Sequence, residues 1–255
     1  KKIFTDKAVA AKLEEKGMMF SSANSINWGR LVPQVVYYVS AYCDLINSGK
    51  IKLGDKINFC VPTGNFGNIF AAYIAREMGL PINRLICASN KNNVLTDFLE
   101  TGTYDRNRQF HLTMSPSMDI LISSNLERLL FFAAGAEKNI EYMNALAKDG
   151  KYTVDARTKA KIDKVFSGFY TDEEKTAETI KTVFEKYGYL CDTHTAVAVN
   201  SAEEYLAKSG DGLVTVVDST ASPYKFAADV YTSLGQTAPA DPLDALDALS
   251  SYTNT

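Results

Sequence analysis

One segment limits the fold more than any other: NFCVPTGNFGNIFAAYIAREMGL, residues 58–80. A short apolar run leads through a turn rich in glycine and asparagine straight into apolar residues at helical spacing. A strand joined to a helix in this way does not return as a hairpin, so the chain crosses over before its next strand. The pattern recurs. RLICASN is a second apolar strand and NVLTDFLETG a helix closed by glycine, while LVTVVDST is a further strand feeding SPYKFAADVYTSLG as a helix. Such alternation predicts an α/β fold in which helices cover a parallel sheet. Right-handed crossovers then gather the strand-end loops along one edge. Ligands bind at edges of this kind, and two loops qualify, those after Cys60 and Val217.

The remaining segments supply helices. DKAVAAKLEEKG reads as a short helix capped by Asp6 and ended by Gly17, and MMFSS after it as a brief strand. INWGRLVPQVVYYVSAYCDLINSG carries Leu31, Val35, Tyr38, Tyr42 and Leu45 at helical spacing, with Pro33 near its start. MDILISSNLERLLFFAAG reads as buried helix, Glu137–Tyr187 as charged helix with a solvated face, and HTAVAVNSAEEYLAKSG as another helix. There are no internal repeats and no low-complexity linkers.

Composition narrows the class of function. The 255 residues suit one large domain or one and a half, at 46% hydrophobic and 22% charged content. A net charge of -3 with no basic stripe argues against nucleic acid, and no run is apolar enough to cross a membrane. Cys43, Cys60, Cys87 and Cys191 form no CxxC pair, which disfavours zinc and fits a reducing cytoplasm. The opening KKIFTDKAVAAKLEEKG lacks methionine and is already helical in pattern, so the chain reads as a piece of a longer protein.

The TGNFGN turn offers an anion site. Its glycines permit turn conformations and close approach of a ligand. The helix opening near Asn68 presents unpaired N–H groups and the positive end of its dipole. No lysine follows the second glycine, and the third glycine of the dinucleotide fingerprint is missing. A phosphate monoester therefore suits the turn better than ATP or NAD. Equally, these residues are consistent with a tight turn capped by Asn68.

Gly64-Asn65-Phe66-Gly67-Asn68 resembles the phosphate-cradling loop of the threonine synthases, fold type II enzymes dependent on pyridoxal 5'-phosphate (PLP). SSANSINWGRLVPQVVYY, SNKNNVLTDFLETGTY, SPSMDILISSNLER, DTHTAVAV and STASPYKF match the same family in order and cover most of the chain. The resemblance implies a three-layer αβα, Rossmann-like large domain, tryptophan synthase β-like, over 21–235. It assigns 1–20 to the end of a smaller domain and 236–255 to the start of a C-terminal segment. It further implies conversion of O-phospho-L-homoserine and water to L-threonine and phosphate, by a monomer or homodimer.

By the same resemblance Gly64, Asn65, Phe66, Gly67 and Asn68 hold the PLP phosphate, and Thr220 faces the pyridine nitrogen. Several members of the family carry Asp where this chain has Asn68. Ser25, Asn27, Arg30 and Lys225 are candidate substrate contacts, with Asn24 beside them and Lys91 a weaker case. His194 reads as structural, Asp119 and Arg128 as a bracing network or subunit contact, and Trp28 as packing. The catalytic lysine, which the family carries in a segment resembling AFKD, has no counterpart in these 255 residues. The chain alone is therefore expected to be inactive. Two other readings stay open: a different fold type II enzyme such as a serine/threonine dehydratase, and a non-catalytic phosphate-binding module.

Overall fold

A computed structural model of the chain describes residues 3, 6–21 and 25–254. Four strands, β1 (Ile57–Pro62), β2 (Ile82–Ser89), β5 (Phe166–Tyr170) and β6 (Thr215–Val217), pair in the order β5-β2-β1-β6. Every pairing is parallel, with Phe59 opposite Leu85 and Val216, and Leu85 opposite Phe166. A separate antiparallel ribbon joins β3 (Thr103–Asp105) to β4 (Lys151–Thr153).

Successive strand residues point to opposite faces, and the two faces have different covers. Phe59, Val61, Leu85 and Cys87 point into the larger core, with the helices Val35–Asn47, Gly67–Glu77, Val94–Thr101 and Leu126–Ala134. Cys60, Ile86 and Ala88 point the other way, against Val197, Ala198, Ala202 and Tyr205 of the helix Thr193–Ser209. The central strands are buried on both sides, as a parallel sheet requires. A third cluster joins Ile180, Ala196, Val230 and Leu234 to Ala245 and Leu249 of the helix Pro242–Thr253.

The strand order places the ligand crevice. From β1 the chain enters Gly67–Glu77 on the larger-core face and returns as β2 on one side, whereas β6 lies on the other side of β1. The order reverses at β1/β6, so the loops following these two strands flank the topological switch point.

Several expected elements differ. Met18–Ser21 form no strand, and Ser22 lies outside the described residues; Met18 and Met19 are exposed, and the Met18 N–H returns to the Leu13 carbonyl at 2.9 Å. The helix expected over Met118–Gly135 is confined to Leu126–Ala134. Asp119 draws the preceding stretch into a turn by accepting bonds from Thr113, Asn90 and Asn92. Glu137–Tyr187 is not continuous helix, for it contains β4 and the sheet-edge strand β5.

Candidate active site

The turn between β1 and its helix is held from behind. Ser123 Oγ donates to the Gly64 carbonyl at 2.7 Å, and Asn125 donates to the Asn65 carbonyl from its backbone N–H (3.0 Å) and side chain (2.9 Å). With those carbonyls tied back, the helix Gly67–Glu77 directs its first-turn N–H groups out of its N-terminal end. Its N-cap, Phe66, supplies no side-chain acceptor, whereas Asp155, Asp172 and Asp192 each cap their own helices.

The conformational strain falls at an unexpected residue. Phe66 is left-handed, φ 63°, and neither Gly64 nor Gly67 is. Phe66 is anchored by its buried ring, 5.6 Å from that of Phe166. The glycines are needed for closeness. A Cβ on Gly64 would lie 2.5 Å from the Ser117 carbonyl oxygen, and one on Gly67 would lie 2.5 Å from the Ser25 side chain.

Asn68 does not cap the helix; the expectation fails because its side chain turns to a polar cluster. The Tyr38 hydroxyl lies 2.8 Å from Asn68 Oδ1 and 2.8 Å from Asp218 Oδ2, and Asn68 Nδ2 donates to Asp218 Oδ2 at 3.1 Å. Asp218 continues β6, its N–H donating to the Cys60 carbonyl at 2.9 Å. Burial pushes its carboxyl up to about 6, against the opposing pull of the Tyr38 and Asn68 bonds. Asp218 was absent from the sequence-based candidates, although an acid closing an apolar strand at a strand-end loop was visible in VVDST.

These groups open on a cleft of about 1060 Å³. Gly64, Asn65, Phe66, Gly67, Asn68, Ser25, Arg30, Thr220 and Lys225 all line it. Thr220 is exposed on the loop after β6, and Lys225 Nζ lies 5.4 Å from the Phe226 ring centre. Asn27 is not among the lining residues; its side chain caps Trp28–Leu31 by accepting from the Gly29 N–H at 2.9 Å. Lys91 is exposed and does not line the cleft, and Asn24 lies outside the described residues.

His194 also lines the cleft. Its Nε2 accepts from the Ser117 N–H at 3.2 Å, which leaves the ring proton on Nδ1, 3.1 Å from Asp192 Oδ1. Burial would raise the Asp192 carboxyl, but bonds from His194 and Thr195 outweigh it and hold the group below the usual range. Thr195 reaches on to Ser219, next to Thr220. This chain of bonds braces Ser117 against the Gly64 turn and steadies the opposite loop. Arg128 braces as well, donating to Ile26 and Asn125, and its guanidinium lies 5.1 Å from the Trp28 ring centre. Trp28 is half exposed, so it acts as a cation–π partner more than as core packing.

Comparison with known proteins points in one direction. The family model described as Threonine synthase, C-terminal, matches residues 195–252. The chain is 44% identical over 238 residues to Threonine synthase-like 1 of Pongo abelii, covering 92% of this chain and 32% of that protein. It is 40% identical to the threonine synthase of Pseudomonas aeruginosa, over 91% of this chain and 48% of that protein. The crystal structure of PLP-bound threonine synthase from Brucella melitensis matches with a TM-score of 0.83 at 40% identity, over 96% of this chain and 51% of that one. The chain thus spans about a third to a half of the length of the curated relatives it matches.

Proposed function

We infer that this chain belongs to the threonine synthase family, and on that premise that it forms the phosphate-binding half of a PLP-dependent active site. The reaction proposed for the whole protein is conversion of O-phospho-L-homoserine and water to L-threonine and phosphate, a carbon–oxygen lyase reaction on a phosphate ester. The observation that carries the reading is the N-terminus of Gly67–Glu77, without a side-chain cap and lining the same cleft as Thr220. Its donor set fits the phosphate end of PLP: free backbone N–H groups at the positive end of a helix dipole.

In this reading the first turn, from Gly64 to Asn68, holds the cofactor phosphate, and the Thr220 hydroxyl meets the pyridine nitrogen. A neutral hydroxyl suits an unprotonated ring nitrogen, unlike a carboxylate, which fixes a charged one. Arg30 and Lys225 supply positive charge to the substrate phosphate, with Ser25 as a further donor. The Asp192–His194–Ser117 chain keeps the cradle from shifting as phosphate is bound and released. Bound PLP supplies the electron sink that takes up charge developing on substrate carbon. The same reading places 1–20 at the end of the smaller domain, 21–235 in the large domain and 236–255 at the start of the C-terminal segment. It assigns the covalent lysine to a part of the family's sequence that these residues do not match.

A second reading, another PLP-dependent lyase on the same fold, draws support from the 44% identity to Threonine synthase-like 1, whose name leaves its reaction open. Two measurements test the first. PLP titrated into the 255-residue chain should bind weakly and be lost on dialysis, with inorganic phosphate competing for it. A PLP absorbance band that survives dialysis would overturn the proposed lack of a covalent lysine. Phosphate release from O-phospho-L-homoserine by the protein that includes the rest of the family's sequence should accompany threonine formation. Its absence would favour the second reading.

A further inference from the structure

We infer that Asp218 is a positioning residue coupled to the cradle, taking up a proton when an anion settles on the first turn of Gly67–Glu77. This rests on reading that helix end as a phosphate site, and it adds a titrating partner that the reading itself does not require.

Proton counting carries the argument. Tyr38 Oη, the Asn68 amide and Asp218 Oδ2 form a closed triangle with sides of 2.8, 2.8 and 3.1 Å. Three short polar contacts need three protons, one lying in each. The hydroxyl has one to give, and the amide directs one N–H into the triangle. With Asn68 Nδ2 toward Asp218, the single Tyr38 proton must serve both Asp218 and Asn68 Oδ1. Turning the amide over satisfies Tyr38 but sets two bare oxygens, Asn68 Oδ1 and Asp218 Oδ2, against each other. In either orientation the missing proton is one on Asp218. The triangle then closes, with Asp218 donating to Tyr38 and Tyr38 donating to Asn68.

The surroundings favour the same outcome. The titratable groups facing Asp218 are Tyr38 from the helix Val35–Asn47 and Cys60 from β1. Burial raises both of their pKa values, so neither brings a charge near neutrality. No ion pair joins Asp218 among the described residues, although Arg30, Lys225 and His194 line the same cleft. Asn68 is the second residue of the helix, so the carboxylate stands one hydrogen bond behind the amides that would hold the anion. Two negative charges at that spacing repel, and protonation of Asp218 removes one of them. By linkage, an anion that raises the proton affinity of Asp218 is itself bound more tightly as pH falls.

The test uses inorganic sulfate, which stays a dianion near neutrality, so that the ligand's own titration does not enter. In calorimetry from about pH 8 down to about pH 5, affinity should rise roughly tenfold, the equivalent of about one unit of displacement in Asp218. Repeating the titration near neutrality in two buffers of unlike ionisation heat should show proton uptake. Asp218→Asn should bind sulfate tightly and equally across the range, without uptake. An unchanged slope in Asp218→Asn overturns the inference, since His194 lies in the same cleft and would then be its source. Sulfate bound with a flat profile and no uptake in the unmodified chain leaves the cradle standing and removes Asp218 from it. Absence of sulfate binding to either form at any pH removes the cradle and the inference together. Should Asp218→Asn fail to fold, Tyr38→Phe decides: removing the hydroxyl that contacts Asp218 at 2.8 Å should displace the midpoint of the slope, and an unmoved midpoint overturns the inference.

Discussion

At the scale of single residues, the phosphate turn keeps a non-glycine in a conformation that glycine usually occupies. The left-handed region costs an L-residue roughly 1–2 kcal/mol, and Phe66 bears that strain because its ring is buried in the larger core. Emptying that site costs more, about 3–5 kcal/mol for Phe→Ala. The expected order of stability in urea is therefore Phe66, then Phe66→Gly, then Phe66→Ala, with glycine recovering about 1 kcal/mol over alanine. Phe66 is the N-cap, where glycine is already the better of the two, so capping and strain act in the same direction, and alanine outranking glycine would show that the strain is not real. Sequence reasoning placed the freedom in Gly64 and Gly67 because glycine is the default at such turns. What it lacked was the backbone of Ser117 and the side chain of Ser25, which need those positions free of a Cβ. Asn68 was misread as a cap for a related reason: Tyr38 and Asp218 compete for its amide from positions 30 and 150 residues distant.

At the scale of elements, strands β1 and β2 and the helices that follow them were legible because each carries its own pattern. Apolar runs of strand length end in turn residues, and Asp6, Gly102 and Gly210 mark helix ends where the structure has them. Strand β5 was hidden. Phe166–Tyr170 reads FSGFY, with serine and glycine in its middle, inside a stretch dominated by lysine and glutamate. Its existence depends on a partner it cannot announce locally, for it pairs with β2 at the sheet edge through Leu85–Phe166 to Ser89–Tyr170. The glycine has a tertiary purpose as well: a Cβ on Gly168 would lie 2.9 Å from the Thr96 Cα and 3.2 Å from the Leu99 Cβ. Neither backbone atom nor β-carbon can swing aside. Gly168→Ala should therefore force the helix Val94–Thr101 away from β5 and cost about 1–3 kcal/mol, despite alanine's ordinary advantage in a strand. Urea denaturation reads the loss, and a stabilised variant would show that β5 packs less closely than described.

At the scale of the whole molecule, one question decides how the parts share stability: does the cluster around the C-terminal helix unfold with the rest? Leu249 is fully buried there with Ala245, Ile180 and Val230. The helix Thr193–Ser209 links this cluster to the sheet, giving Ala196 to one side and Val197, Ala198 and Ala202 to the layer over β1 and β2. A second tie runs from Glu173, whose carboxylate accepts the Met114 N–H at 2.9 Å, three residues before Ser117. A shared helix of this kind makes independent opening costly, since exposing one of its faces leaves the other unsupported. Leu249→Ala should therefore remove about 2–5 kcal/mol from a single transition with an unchanged urea slope. The chain has one tryptophan, Trp28, next to Gly29 and Arg30 of the cleft and beside the Arg128 guanidinium, and its fluorescence reports a region outside the cluster that holds Leu249. If the molecule is one cooperative unit, the Trp28 transition moves to lower urea together with the far-ultraviolet dichroism. A dichroism transition that moves while the Trp28 signal stays fixed would instead divide the protein into two units. The cradle would then belong to the one that does not need the C-terminal helix.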